Sequence, residues 1–258
     1  MQIWQAIVLG AIQGFTEFLP VSSSGHLILV GRWLGVKESS LFFSVMLHLG
    51  TLIPVLIVFW KDIIDLFKKP FNKMGLLILA TVPAGVVGLT ATKLIDLDSL
   101  FGSVSWLLGL AFILTAIELL LLQSIQKRKN LSTPLGVKSS LLMGVGQALA
   151  VFPGLSRSGT TLFFGGLSGI SRENGARFTF LMSVPIILSA VFLEGVECIK
   201  LGQTANTYTV ATLFGVITSA ITGYVAIKGM LSLIKKANYK WFSLYLLALG
   251  VISFIGGV

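Results

Sequence analysis

Two short stretches carry most of the chemistry in this chain. The first, QGFTEFLPVSSSGH, runs from Gln13 to His26. Gln13 and Glu17 are four residues apart, so on a helix they share a face. Pro20 disfavours helix in the residue before it and ends that segment. Ser22, Ser23, Ser24 and Gly25 follow, and His26 opens the next apolar run. Serines placed there suit the cap of a new helix, whose N-terminus attracts anions. Capping accounts for the proline, the glycine and one or two serines. It leaves Glu17 and His26, which are costly in lipid and mark function.

The second stretch is PGLSRSGTT, Pro153 to Thr161. An arginine such as Arg157 costs about 2.5–3.5 kcal/mol at the centre of a membrane on insertion scales. Either Glu17 as an ion-pair partner or an anionic ligand must offset that. Ser156, Ser158, Gly159, Thr160 and Thr161 can surround the guanidinium with hydroxyls and N–H groups. A guanidinium grips phosphate oxygens with paired hydrogen bonds, so anion binding is the stronger reading. Glu17, Ser23 and His26 add the parts for acid–base and nucleophilic work. Ser23 and His26 are expected to approach each other across the turn. Glu17 is alternatively a ligand for a divalent cation held against phosphate oxygens. Binding a phosphate and breaking a bond to it is what a phosphatase does.

The elements that must position these groups are membrane helices. Only 11% of the 258 residues are charged and 55% are hydrophobic, where a soluble domain carries about a quarter charged residues. Mean hydropathy is +0.93. Long apolar runs fit helices of about 20 residues, not the short alternating segments of a barrel. The net charge of +9 is read as loop lysines on the cytoplasmic side, so no nucleic-acid partner is expected. The single cysteine, Cys198, excludes an internal disulfide. The N-terminal MQIWQAIVLG lacks the basic leader of a signal peptide, and these residues are expected to stay in the mature protein.

Six full spans are expected at about 41–60, 74–92, 104–123, 178–197, 207–228 and 241–257. Segments 2–34 and 139–169 are each broken in the middle by Pro, Gly and Ser and are expected to be re-entrant helical hairpins. Irregular backbone at membrane depth survives only inside protein or beside a wet cavity. Fourteen of the 19 basic residues fall in segments 61–73, 124–140, 171–177 and 228–240. Two hairpins and six spans put all four on the cytoplasmic side, with both termini outside. The opposite loops hold Arg32, Lys37, Lys93 and Lys200, with Asp96 and Asp98 among them.

The two broken segments also match each other. Gln13 to Gly25 and Gln147 to Gly159 span the same distance and enclose a proline and a serine cluster. One single all-α membrane domain, 1–258, is therefore expected to be an inverted-topology repeat, about 1–123 and about 139–258, with its site near the midplane. Among the remaining residues, His48 either lines the cavity or packs. Glu118 is expected to snorkel. Gly85, Gly88, Gly215 and Gly223 are expected to let helices pack closely.

These motifs resemble the undecaprenyl-diphosphate phosphatase family, also known as bacitracin-resistance proteins. Its patterns, (E/Q)GxxEFLPxSSxGH and PGxSRSGxT, stand here as QGFTEFLPVSSSGH and PGLSRSGTT, and the likeness spans the chain, including Ser171–Arg172. The resemblance implies hydrolysis of undecaprenyl diphosphate to the monophosphate, which recycles the lipid carrier of cell-wall peptidoglycan synthesis. It implies a multi-pass protein of the bacterial plasma (inner) membrane, a site open to the outer face, and help from Mg²⁺ or Ca²⁺, with Glu17 as the candidate metal ligand. It makes Glu17, Ser23, His26 and Arg157 the core of the site. Gln13, Ser22, Ser156, Ser158, Gly159 and Thr161 are expected to bind substrate. Many relatives carry Glu where this chain has Gln13, and a neutral amide cannot be a base. The expected partners are the polyprenyl diphosphate, the bilayer and a second copy of the chain as a homodimer.

Two mechanisms fit. In one, Ser23 attacks phosphorus with His26 as base, and Glu17 orients His26 or binds the cation. In the other, His26 or Glu17 activates water directly. A polyprenyl-phosphate transporter or flippase is the rival function, since inverted repeats suit alternating access. An intramembrane serine protease has no evident need for Arg157.

Overall fold

A computed structural model describes residues 1–36, 41–94, 105–128, 131–200, 209–236 and 238–255. Lys37, Asp96, Asp98 and Lys129 lie outside the described residues. Eleven helices make up the described part. They are α1 (Ile3–Phe18), α2 (Ser23–Trp33), α3 (Leu41–Val58), α4 (Trp60–Leu66), α5 (Asn72–Leu94) and α6 (Ser105–Arg128), then α7 (Val137–Leu149), α8 (Arg157–Ser168), α9 (Arg172–Lys200), α10 (Thr209–Lys236) and α11 (Lys240–Ile255).

Four of these helices are long and apolar enough to cross a membrane, namely α5, α6, α9 and α10. The pair α3 and α4 makes a fifth candidate, bent by 82°. The expected span at 41–60 therefore stops at Val58, and α4 turns away from it. Helix α11 is apolar but shorter. The exterior carries large apolar side chains such as Ile57, Val86, Phe192, Ile221 and Trp241, each more than half exposed. The interior holds Gln13, Glu17, Ser22, His26, Ser156, Ser158 and Thr160, all under 9% exposed. Polar groups inside an apolar coat suit a lipid surround, where unsatisfied polar groups are costly. The chain is an all-helical, multi-pass membrane protein.

Both broken segments are broken as their residues dictate. Helix α1 ends at Phe18, and Leu19, just before Pro20, is extended at φ −75°, ψ 149°. Ser22 caps α2 and accepts from the Gly25 N–H at 3.4 Å. Helix α7 ends at Leu149, and the chain passes Pro153 and Gly154, whose φ is +89°. Ser156 then caps α8 and accepts from the Gly159 N–H at 3.2 Å.

Each broken segment lies against a partner helix, α1 along α10 and α7 along α5. Small residues permit this. A Cβ on Gly10 would sit 2.3 Å from the Gly215 carbonyl oxygen, and one on Gly144 would sit 2.7 Å from that of Ala80. Gly223 also lies at the first crossing, with Phe18 and Pro54 close by. Gly85 and Gly88 behave otherwise. Among the described residues, a Cβ at either position would meet nothing within 4 Å.

The basic segments meet at one end of the bundle. Arg177 of α9 pairs with Asp62 of α4 at 3.3 Å. Arg172 donates to the Gln126 carbonyl near the end of α6 at 2.6 Å. The Tyr239 N–H, at the start of α11, donates to Gln123 Oε1 at 3.1 Å. Leu231 and Ile234 of α10 line a cavity with Arg172 and Arg177. Ser171 caps α9 through the Asn174 N–H, and Glu173 in its first turn pairs with Arg177.

Candidate active site

The two broken segments meet at Glu17. Its carboxylate is buried, and an Arg157 Nη2–H is donated to Oε1. Ser23 Oγ–H donates to Oε2 at 2.6 Å, and Gln13 Nε2–H donates to the same oxygen at 3.1 Å. Three donors thus converge on one buried carboxylate. Ser23 is the first residue of α2 and Arg157 the first of α8. Two helix N-termini, which favour negative charge, thus begin at the same anion.

Further bonds tie the loops together. Ser158 Oγ donates to the Leu19 carbonyl at 2.9 Å, and the Gly154 N–H donates to Ser24 Oγ at 3.4 Å. Helix α6 supports the second loop, since Thr115 Oγ1 accepts from the Ser156 N–H at 3.1 Å. The guanidinium is held by the packed first turn of α8, with its side chain 16% exposed.

His26 is placed differently from the sequence expectation. No hydrogen bond joins it to Ser23 among the described residues. Its Nδ1 lies 2.6 Å from the Ser22 carbonyl oxygen, and its Nε2 lies 2.7 Å from the Tyr245 hydroxyl. Both ring nitrogens are engaged with these partners, and the group that accepts from the Ser23 hydroxyl is Glu17. The one-turn reach from Ser23 to His26 along α2 is taken up by the ring turning back onto the cap residue.

Other expected residues divide. Ser22, Ser156 and Gly159 serve in the caps. The Thr161 hydroxyl donates back to the Arg157 carbonyl at 2.7 Å, so its proton is spent within its own helix. Thr160 turns to the other side and donates to Glu118 Oε2 at 2.7 Å. Glu118 therefore faces α8 instead of snorkelling. His48 donates from Nδ1 to the Ser44 carbonyl at 2.9 Å. Tyr245 escaped sequence reasoning, because a tyrosine in an apolar helix reads as an ordinary interfacial residue. Thr115 escaped as well.

The metal expected on Glu17 finds no cage. Both carboxylate oxygens already accept from Arg157, Ser23 and Gln13. No group of three or more His, Cys, Asp or Glu gathers among the described residues. These residues do not fit a resident divalent cation.

An all-helical membrane protein with a charged, anion-favouring site between two broken helices is the class that fold and site define. Within that class the chain belongs to the family described as bacitracin resistance protein BacA, which it matches over residues 6–252. An undecaprenyl-diphosphatase of Carboxydothermus hydrogenoformans is 40% identical over 256 residues, covering 97% of this chain and 96% of its own. One of Methanobrevibacter smithii is 38% identical over 279 residues, covering 100% and 99%. Undecaprenyl-diphosphatase 4 of Bacillus cereus is 35% identical, covering 96% and 95%.

Proposed function

We propose that the chain hydrolyses undecaprenyl diphosphate to undecaprenyl phosphate and inorganic phosphate, the activity for which its relatives are named. It would thereby return the lipid carrier to peptidoglycan synthesis and confer resistance to bacitracin. One observation carries the reading: Ser23 gives its proton to a carboxylate that also holds Arg157. The hydroxyl is poised to lose that proton, and a cation able to grip phosphate stands beside it.

In the reaction, Arg157 and the N-terminal ends of α2 and α8 hold the diphosphate. Ser23 Oγ attacks the terminal phosphorus and its proton passes to Glu17. The bond from that phosphorus to the bridging oxygen breaks, and the lipid monophosphate leaves. Water then attacks the phosphoserine, its proton passing to a base of the site; the bond from phosphorus to Ser23 Oγ breaks, Glu17 returns its proton to that oxygen, and phosphate leaves.

We read the membrane arrangement as six spans (α3, α5, α6, α9, α10 and α11) and two re-entrant hairpins (α1–α2 and α7–α8). The gathering of the basic segments at one end supports placing that end in the cytoplasm of a bacterial cell, with the site facing outward across the plasma membrane. The matched packing of α1 on α10 and α7 on α5 supports two inverted repeats, about 1–123 and about 139–258.

The deciding experiment is phosphate release from a polyprenyl diphosphate by the purified protein. The parent should release phosphate, and Arg157→Ala should not. Acid quench during turnover should trap phosphate on Ser23. An inactive parent would sink the enzyme reading, and full activity in Ser23→Ala would replace the phosphoserine with directly activated water.

A further inference from the structure

We propose that Tyr245 is a positioning residue of this site, acting through His26 on the turn that presents Ser23. The inference rests on the hydrolase reading above and adds to it a residue from the last helix.

A carbonyl oxygen only accepts, so the 2.6 Å contact between His26 Nδ1 and the Ser22 carbonyl puts a proton on Nδ1. In the neutral ring Nε2 then carries the lone pair. The Tyr245 hydroxyl, 2.7 Å from Nε2, donates to it. One bond on each edge fixes both tautomer and orientation. Rings hold the faces: Tyr245 stacks on His26 with centroids 5.6 Å apart and planes at 20°, and Phe112 meets it edge-on at 5.5 Å. His26 is 4% exposed.

What this fixed ring holds is unusual backbone. Ser22 has φ 70° and ψ 99°, a region that a residue with a Cβ occupies only where its surroundings over-determine it. Gly25 crowds against Phe112, where a Cβ would lie 2.6 Å from the ring, so α2 starts in a confined place. The His26 N–H anchors the Ser22 carbonyl, and the next residue is Ser23, whose hydroxyl reaches Glu17. The chain of action runs from the Tyr245 hydroxyl to the imidazole, to the Ser22 carbonyl, to the aim of Ser23. The same bonds explain why a histidine stands here without touching the nucleophile: it is a pin.

The test is steady-state phosphate release from polyprenyl diphosphate by full-length protein in detergent, with thermal unfolding of each variant. Tyr245→Phe keeps the ring and removes the donor. It should lower kcat about tenfold, the loss of one buried hydrogen bond, and leave KM and the unfolding temperature near the parent's. His26→Asn puts an amide N–H where Nδ1–H stands and should keep measurable turnover. His26→Gln, whose amide reaches the Nε2 position, should be worse. In the His26→Asn background, Tyr245→Phe should add less than about twofold, because coupled residues are not additive. Three results would overturn the proposal: parental kcat in Tyr245→Phe, its full effect persisting beside His26→Asn, or His26→Gln outperforming His26→Asn. An inactive parent would instead remove the hydrolase reading, so the two failures are distinct.

Discussion

Arg157 donates to Glu17 across 140 residues of sequence, and the bond sits where α2 and α8 both begin. The carboxylate thus occupies the position that two helix N-termini prepare for an anion. An arriving phosphate does not enter an empty cradle. It must share Arg157 with Glu17, and a guanidinium has five N–H donors with which to do so.

Breaking this pair should cost stability as well as activity. Removing one partner leaves the other charged, buried and unpaired, worth about 3–5 kcal/mol. Arg157→Ala and Glu17→Ala are each expected to unfold at clearly lower temperature in detergent. The double variant Glu17→Gln, Arg157→Met should recover much of that loss yet release no phosphate. Thermal unfolding beside phosphate release checks both halves. A double variant as unstable as the two losses combined would contradict the pairing.

Gln13 sets a second expectation. Its amide donates to Glu17 at 3.1 Å. Gln13→Glu replaces that bond with contact between two carboxylates, which repel unless a proton or cation intervenes. Phosphate release by this variant should rise more steeply with added Mg²⁺ than that of the parent. Identical Mg²⁺ titrations would show that the side chain at position 13 does not act on Glu17.

The breaks and their caps were legible because Pro20, Pro153 and the serines act on their own backbone. The Glu17–Arg157 pair was half legible: a charge in lipid demands a partner, and the sequence offered Glu17 as one but favoured an anionic ligand, whereas the structure holds the pair. Spacing along α2 puts His26 one turn from Ser23, but it cannot show the partner of its Nε2, which comes from α11, more than 200 residues away. The 82° turn after Val58 carries no proline at the bend, and the apolar run continues through Phe59 and Trp60 before Lys61. The glycines show the same limit. In a membrane both faces of a helix are apolar, so sequence does not mark whether Gly10 or Gly85 meets another helix.

That difference is measurable. Gly10→Ala puts a methyl 2.3 Å from the Gly215 carbonyl oxygen and must separate α1 from α10. Gly85→Ala meets nothing within 4 Å and removes a residue about 0.8–1.0 kcal/mol less favourable than alanine in helices. Gly10→Ala should unfold at lower temperature than the parent, and Gly85→Ala at the same temperature or higher. Equal destabilisation by both would mean that the α1–α10 crossing is looser than its geometry.

The hairpin reading makes a prediction about sidedness. Single cysteines in a Cys198→Ala background can be labelled from outside intact cells with an impermeant maleimide. Gln2 and Trp33 flank the first hairpin, and Lys138 and Asn174 flank the second; all four are exposed. If each hairpin returns to its own side, Gln2→Cys and Trp33→Cys label from outside together, while Lys138→Cys and Asn174→Cys label only after the cells are opened. A hairpin that crossed fully would split its pair between the two sides. The second pair is the more demanding test, because Lys138 and the basic end of α9 must then share the cytoplasmic face with Lys61. Split labelling at Lys138 and Asn174 would remove the inverted repeat and, with it, the argument that Arg157 and Glu17 are brought together from opposite faces of the membrane.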